Sequence, residues 1–246
     1  YYVSPQLWAW RAGRMRTLKR HVNRMLVIFP FEVEIYDRAG VPVEFVGHPL
    51  VDLAKASTPR EAWLSARGLD PARPRVALLP GSRPNEVHRM LPVFVEAIPL
   101  IAQAVPGVEF LVARAPSLDD ALFASLSGNR TSARVVVVTG ATDDVLAASD
   151  VVLTASGTAT VQTAIHGKPM VIVYGLSPLT YAIARTFVRV PQYGMVNLIA
   201  GRSIVPELIQ RDFTPANVAR EAVSFLTDRA RANRAREDVG AVRDAE

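Results

Sequence analysis

The stretch that most constrains this chain is Asp150-Val151-Val152-Leu153-Thr154-Ala155-Ser156-Gly157-Thr158-Ala159-Thr160-Val161-Gln162. Val151 to Leu153 form a short apolar run, the mark of a strand covered on both faces. Ser156-Gly157-Thr158 follows as a turn of small residues, and Gly157 has no Cβ to keep another group off the backbone. Val161, Ala164 and Ile165 are then spaced as on one side of a helix. A helix opening at such a turn aims free N–H groups and partial positive charge at whatever lies before it, which suits a phosphate. The same turn also makes an ordinary helix cap, and these residues alone leave both readings open.

The strand–helix alternation recurs. Strands are expected at Val76–Leu79, Val108–Val112, Arg134–Val138 and Pro169–Tyr174. Helices are expected over Glu86–Ala104 with interruptions near Pro92 and Pro99, near Leu118–Leu126, and over Asp143–Ala148 and Pro178–Val188. A last helix starts at Pro215, with Thr214 as its cap. This order predicts an α/β fold with a Rossmann-like, doubly wound parallel sheet, whose ligands bind beyond the carboxyl ends of the strands.

Residues 1–52 read as the closing piece of another domain. Met15, Leu18 and Val22 mark a short amphipathic helix in the basic stretch Arg14–Arg24. Met25–Phe29 and Val43–Val46 read as strands around a helix over Phe31–Arg38 that closes at Gly40. Ala54–Arg60 reads as a polar linker, followed by a helix over Glu61–Ala66. Residues 53–230 read as a second domain, and 231–246 as a polar tail. The start at Tyr1, without Met, leads us to expect that an N-terminal part precedes it.

Half of the 246 residues are hydrophobic and 21% are charged, so the chain is globular rather than disordered. No apolar run is long enough to span a bilayer. The absence of cysteine excludes disulfides and thiolate chemistry, and four scattered histidines make a metal site unexpected. A net charge of +5 and a pI near 9.9 suit anionic partners. Nucleic acid is disfavoured, because no basic face is interleaved with aromatics and no binding motif occurs.

Three loops could carry chemistry. In Pro80-Gly81-Ser82-Arg83, Arg83 offers a planar fork suited to phosphate, and Glu86 either fixes it or satisfies the helix start. The second loop is Ser156-Gly157-Thr158. The third, Tyr193–Asn197, offers the amide of Asn197 to a nucleobase or phosphate, or simply a loop Asn. His48 reads equally as a ligand contact at a cleft mouth or as a hydrogen-bonded structural residue, and His166 as a partner of a helix C-terminus. No Walker A, Gly-x-Gly-x-x-Gly or Gly-x-Ser-x-Gly sequence occurs, which disfavours ATPases, nicotinamide dehydrogenases and serine hydrolases.

Six motifs in order carry a resemblance: Trp8-Ala9-Trp10-Arg11, Phe29-Pro30-Phe31-Glu32, Phe45-Val46-Gly47-His48-Pro49-Leu50, Leu78-Leu79-Pro80-Gly81-Ser82-Arg83, Ala155-Ser156-Gly157-Thr158-Ala159 and Asn197-Leu198-Ile199-Ala200-Gly201-Arg202. From about residue 1 to 228 the chain resembles the C-terminal part of lipid-A-disaccharide synthases. The resemblance implies a GT-B glycosyltransferase fragment: a UDP-sugar (donor) domain over 53–230 and a remnant of the acceptor domain over 1–52. It implies an inverting, metal-independent transfer without a cofactor. UDP-2,3-diacylglucosamine donates to 2,3-diacylglucosamine 1-phosphate, forming a β(1→6) disaccharide and UDP.

The resemblance also implies a cytoplasmic protein, peripheral at the inner-membrane surface of Gram-negative bacteria, and a possible homodimer through exchanged C-terminal segments. Other UDP-sugar enzymes of the fold, a UDP-GlcNAc 2-epimerase or the peptidoglycan N-acetylglucosaminyltransferase, are the alternatives. Arg83 resembles the residue that holds the UDP diphosphate and stabilises the leaving group, with Gly81 and Ser82 shaping its turn. Ser156, Gly157 and Thr158 resemble the helix start that faces the phosphates, and Asn197 a nucleotide contact. Gln162 stands where the family usually has a ribose-binding Glu, which implies a weaker ribose contact. The catalytic base is expected in the preceding part, so the fragment is expected to bind UDP without transferring sugar.

Overall fold

A computed structural model describes residues 1–5, 15–126, 133–175 and 192–245 of the chain. Trp8–Arg11 and the helix expected over Pro178–Val188 lie outside the described residues.

The N-terminal piece comprises α1 (Met15–His21), β1 (Met25–Val27), α2 (Pro30–Arg38) and β2 (Val43–Phe45). β1 and β2 pair in parallel, Met25 opposite Val43. Met25, Val27, Tyr36 and Val41 make a small core, and Met15, Leu18 and Val22 pack on it. This is the apolar side of the expected amphipathic helix. Ile28 and Phe29 pack instead with Val161 and Met195, so the piece is seated on the larger body.

After α3 (Leu50–Leu53) the polar linker is fastened rather than free. The amide of Ser57 donates to the Asp144 carboxylate at 2.8 Å and its hydroxyl at 2.9 Å. Arg60 pairs with Asp150 at 2.9 Å. α4 (Arg60–Ser65) follows.

The larger body is a parallel sheet of β3 (Arg75–Leu79), β4 (Glu109–Arg114), β5 (Val135–Thr139), β6 (Val151–Ala155), β7 (Met170–Tyr174) and β8 (Glu207–Ile209). Their spatial order is β5-β4-β3-β6-β7-β8. Counted from β3, this is the doubly wound order 3-2-1-4-5-6. Its helices are α5 (Pro84–Ala104), α6 (Thr142–Ala148), α7 (Thr158–Ile165), α8 (Met195–Ala200), α9 (Pro215–Thr227) and α10 (Arg229–Ala245).

Alternation along the strands separates two cores. Val76, Leu78, Val151 and Leu153 face α5 and α9, whereas Ala77, Leu79 and Val152 face α4, α6, α7 and α8. Every residue of β3 and β6 is buried, as their mainly apolar sequences require.

Several expectations are corrected. α5 is continuous through Pro92 and Pro99. Both prolines are exposed and seven residues apart, so the carbonyls that lose a partner lie on the side that water reaches. Buried Val87, Met90, Phe94, Ile98 and Ile101 hold the other side. The segment near Leu118 is a 3-10 helix, Asp120–Leu126. The polar tail is the helix α10. Its Ala232 and Ala235 join one core and Val239 and Val242 the other, so it wraps the sheet from face to face.

The amino ends of the strands carry charge. Fully buried Arg75 donates to Glu109 at 2.8 Å, and its amide donates to Asp150 at 2.9 Å. Lys168 donates to the carbonyls of Ala147 and Ser149 at 2.9 and 2.8 Å. Burial, with Arg60 adding to it, lowers the Lys168 pKa to about 8.

Two outcomes follow from this packing. Phe94 is fully buried and meets Phe213 edge-on, with centroids 6.1 Å apart. Phe94→Ala should lower stability by about 3–5 kcal/mol in urea unfolding. Between pH 8 and 10.5 folded Lys168 binds fewer protons than the unfolded chain, so its contribution to stability rises with pH there. The stability difference between the parent and Lys168→Met should therefore move in the parent's favour across that interval and flatten well below it, where Lys168 is protonated in both states. A shift the other way would contradict the burial assigned to Lys168.

Candidate functional site

β3 and β6 are neighbours, with Leu79 opposite Thr154. α5 leaves β3 toward one face of the sheet, and α7 leaves β6 toward the other. The two connections diverge, so a crevice opens between the strand tips, the switch point where ligands bind in such folds. A cleft of about 320 Å³ lies there. Gly81, Ser82 and Arg83 wall one side, Ser156, Gly157 and Thr158 the other, and Gln162 lies further along α7. The structure thus brings together seven of the eight residues singled out in the sequence.

The first turn is shaped by Glu86. Gly81 has φ +119°, and a Cβ there would sit 2.5 Å from both the Cβ and a carboxylate oxygen of Glu86. The Glu86 carboxylate accepts from the amides of Ser82 and Arg83 at 2.9 and 3.3 Å and from the Arg83 guanidinium at 2.9 Å. Glu86 therefore does both things considered for it: it fixes Arg83 and satisfies the start of α5. The Arg83 side chain remains 78% exposed, reaching over the cleft. It also borders a neighbouring groove of about 570 Å³ that includes Arg89, Met90 and Tyr174.

The second turn is open. Gly157 has φ +151°, and a Cβ there would meet nothing within 4 Å. α7 begins at Thr158, so its first amides point out of the helix toward the cleft side. The Ser156 hydroxyl donates to the Tyr193 carbonyl at 2.7 Å, tying this turn to the loop before α8.

Asp143, at the start of α6, was not singled out from the sequence. Gln162 Nε2 donates to Asp143 Oδ1 at 2.8 Å, and His166 Nε2 lies 2.9 Å from the same oxygen. His166 ends α7, as expected, but its ring partner is this carboxylate. Nothing local in the sequence marks the pair, since the packing of α6 beside α7 creates it.

Asn197 is the residue the structure takes away from the cleft. It is fully buried in α8. Its Nδ2 donates to the Val205 carbonyl at 3.0 Å and to Glu207 at 2.8 Å. Its Oδ1 accepts from the amides of Ile204 and Val205 at 2.9 and 3.1 Å. With its amide engaged on both sides, Asn197 secures the α8–β8 connection, and the nucleotide contact expected of it has no support. Glu207 also accepts from the amides of Tyr193 and Gly194, so Asn197 supports the loop that holds Ser156.

His48 is buried; its Nδ1 accepts from the Leu50 amide at 3.1 Å and its ring lies against Phe29. Burial lowers its pKa, which fits the structural alternative. Among the described residues no group of three His, Asp or Glu side chains is placed to hold a metal ion.

The lipid-A-disaccharide synthetase family profile matches residues 1–245. Lipid-A-disaccharide synthases of Geobacter metallireducens and Geobacter sulfurreducens are 44% and 43% identical over 244 residues, which is 99% of this chain. That of Anaeromyxobacter dehalogenans is 45% identical over 230 residues. The chain spans 60–63% of the length of these relatives. Among solved structures, Anabaena HepE in complex with UDP and glucose has a TM-score of 0.59 at 14% identity, covering 99% of this chain and 66% of its own. WaaG, a glycosyltransferase involved in lipopolysaccharide biosynthesis, has a TM-score of 0.60 at 11% identity, covering 98% of this chain and 65% of its own. These two likenesses bear on the fold, which is of the GT-B type. The match along the whole chain and the identity to its relatives establish that this chain belongs to the lipid-A-disaccharide synthase family.

Proposed function

We propose that this chain is the donor-nucleotide part of a lipid-A-disaccharide synthase, and that its cleft holds the diphosphate of UDP-2,3-diacylglucosamine. One observation carries the reading. The free first amides of α7 and the exposed Arg83 guanidinium converge at the switch point of a parallel sheet, in a chain of this family.

The chemistry follows from charge. As the 6-hydroxyl of 2,3-diacylglucosamine 1-phosphate attacks the donor's anomeric carbon from the opposite side, the bond from that carbon to the diphosphate oxygen breaks. Negative charge then grows on departing UDP. In this reading Arg83 and the amides at Gly157 and Thr158, which line the cleft, stabilise that charge. Glu86 aids this by holding the Arg83 turn in shape. The acceptor hydroxyl must also lose a proton. We assign that base to the part of the longer relatives that this chain does not span, so the chain alone should bind UDP without transferring sugar.

The acyl chains of both substrates call for contact with a membrane. No helix of the described residues is long and apolar enough to cross one. In this reading the protein is peripheral at the inner leaflet. The contact is assigned to α1, where Arg16 and Arg20 are exposed on the side away from Met15 and Leu18, and Lys19 is exposed at the edge between the two sides.

Calorimetry with UDP tests the proposal: binding is expected, and no heat at millimolar UDP from the folded chain would overturn it. Arg83→Ala should weaken UDP by about 1.5–3 kcal/mol, the worth of hydrogen bonds to a charged group; unchanged affinity would remove Arg83 from the site. Replacing Arg16, Lys19 and Arg20 by Gln should lower co-sedimentation with anionic vesicles, and an unaltered bound fraction would remove α1 from the membrane contact.

A further inference from the structure

Gln162 lines the cleft, whereas Asp143 stands behind it on α6. Asp143 Oδ1 receives Gln162 Nε2 at 2.8 Å and lies 2.9 Å from His166 Nε2. An ionised carboxylate only accepts hydrogen bonds, so both neighbours present N–H groups to it. This fixes two orientations. His166 carries a proton on Nε2, and the Gln162 amide turns its NH₂ group toward α6. The one other polar atom of that amide is Oε1, an acceptor. The Asp143 and His166 side chains are only 27% and 10% exposed, so the three groups form a largely dry network in which each polarises the next.

The cleft also offers donors, the first amides of α7 and the Arg83 guanidinium, while Glu86 takes up the amides of Ser82 and Arg83. Gln162 is about one helical turn beyond Thr158 on the same helix. An acceptor placed one turn past a bank of donors suits a ligand whose anionic part is joined to a hydroxyl-bearing part. We infer that Asp143 is a positioning residue: it locks the Gln162 amide so that Oε1 accepts from a ribose hydroxyl of the bound nucleotide, with His166 holding Asp143 in place. This inference rests on the nucleotide reading of the cleft. The arrangement keeps the Asp143 charge one side chain away from the diphosphate and presents a polarised neutral oxygen from Gln162, while the Glu86 charge at the other wall is paired with Arg83.

Positions 143 and 162 then work as one unit carrying a single charge. Gln162→Glu would set two carboxylates against each other, and one would have to take up a proton or turn away. Asp143→Ala would release the amide to rotate. The exchanged pair, Asp143→Asn with Gln162→Glu, would restore one charge, one donor between the two residues and one acceptor facing the cleft.

The test is calorimetric titration of the full chain with UDP and with 2′,3′-dideoxy-UDP. The parent should favour UDP by about five- to tenfold, the size of one hydrogen bond. Asp143→Ala should bring that ratio close to one while leaving affinity for the dideoxy nucleotide near the parental value. Gln162→Glu alone should also lower the ratio, and the exchanged pair should bring it back. A purely structural role for Asp143 would weaken both nucleotides alike. A parental ratio in Asp143→Ala, equal weakening of both nucleotides, or an exchanged pair no better than Gln162→Glu alone, would each overturn the inference and leave the cleft assignment standing. Failure of the parent to bind UDP at all would overturn that assignment and this inference with it.

Discussion

The pairing of β3 with β6 governs the rest of this structure. Both strands are buried along their whole length, so each must be mainly apolar, and Arg75-Val-Ala-Leu-Leu79 and Val151-Val-Leu-Thr-Ala155 meet this with one polar side chain apiece, each hydrogen-bonded. Right-handed crossovers then send α5 and α7 to opposite faces, because β4 lies on one side of the pair and β7 on the other. The crevice at the strand tips follows from this divergence. At the other end, the Asp150 carboxylate accepts from the Arg75 amide and Asp150 pairs with Arg60, so the two strands are pinned by charge where no ligand is expected. A register slip would break that pin and exchange the faces of the strand.

The two tips differ in how their shape is set. On β3 the turn is closed over Glu86, which fills the space a side chain at position 81 would need and orients three donors. The remaining N–H groups of the Arg83 guanidinium are then offered to a ligand with little freedom left to lose, which reduces the cost of binding. On β6 the turn is bare at Gly157, so a phosphate can approach the backbone. One side orients and the other admits. The loop before α8 braces the second turn through Ser156, and buried Asn197 and Glu207 brace the loop.

What the sequence revealed depended on whether the cause was local. Apolar runs located β3, β4, β5, β6 and β7 to within a residue or two, and the small residues after β3 and β6 located the cleft walls. Asn197 misled because a polar residue in a short segment reads as exposed, and its burial comes from β8 and the chain around Val205. β8 has three residues, too few to give a pattern. α10 hides its buried side in alanines, Ala232 and Ala235, among seventeen residues rich in Arg. Asp143 and Gln162 are nineteen residues apart, and only the packing of α6 near α7 joins them.

The central claim is that both turns grip one ligand. The most direct measurement is a UDP titration of the isotope-labelled full chain, followed through its amide resonances. The account predicts that Ser82, Arg83, Gly157 and Thr158 shift together along one binding curve. Shifts confined to one turn, or two turns following different dissociation constants, would contradict it.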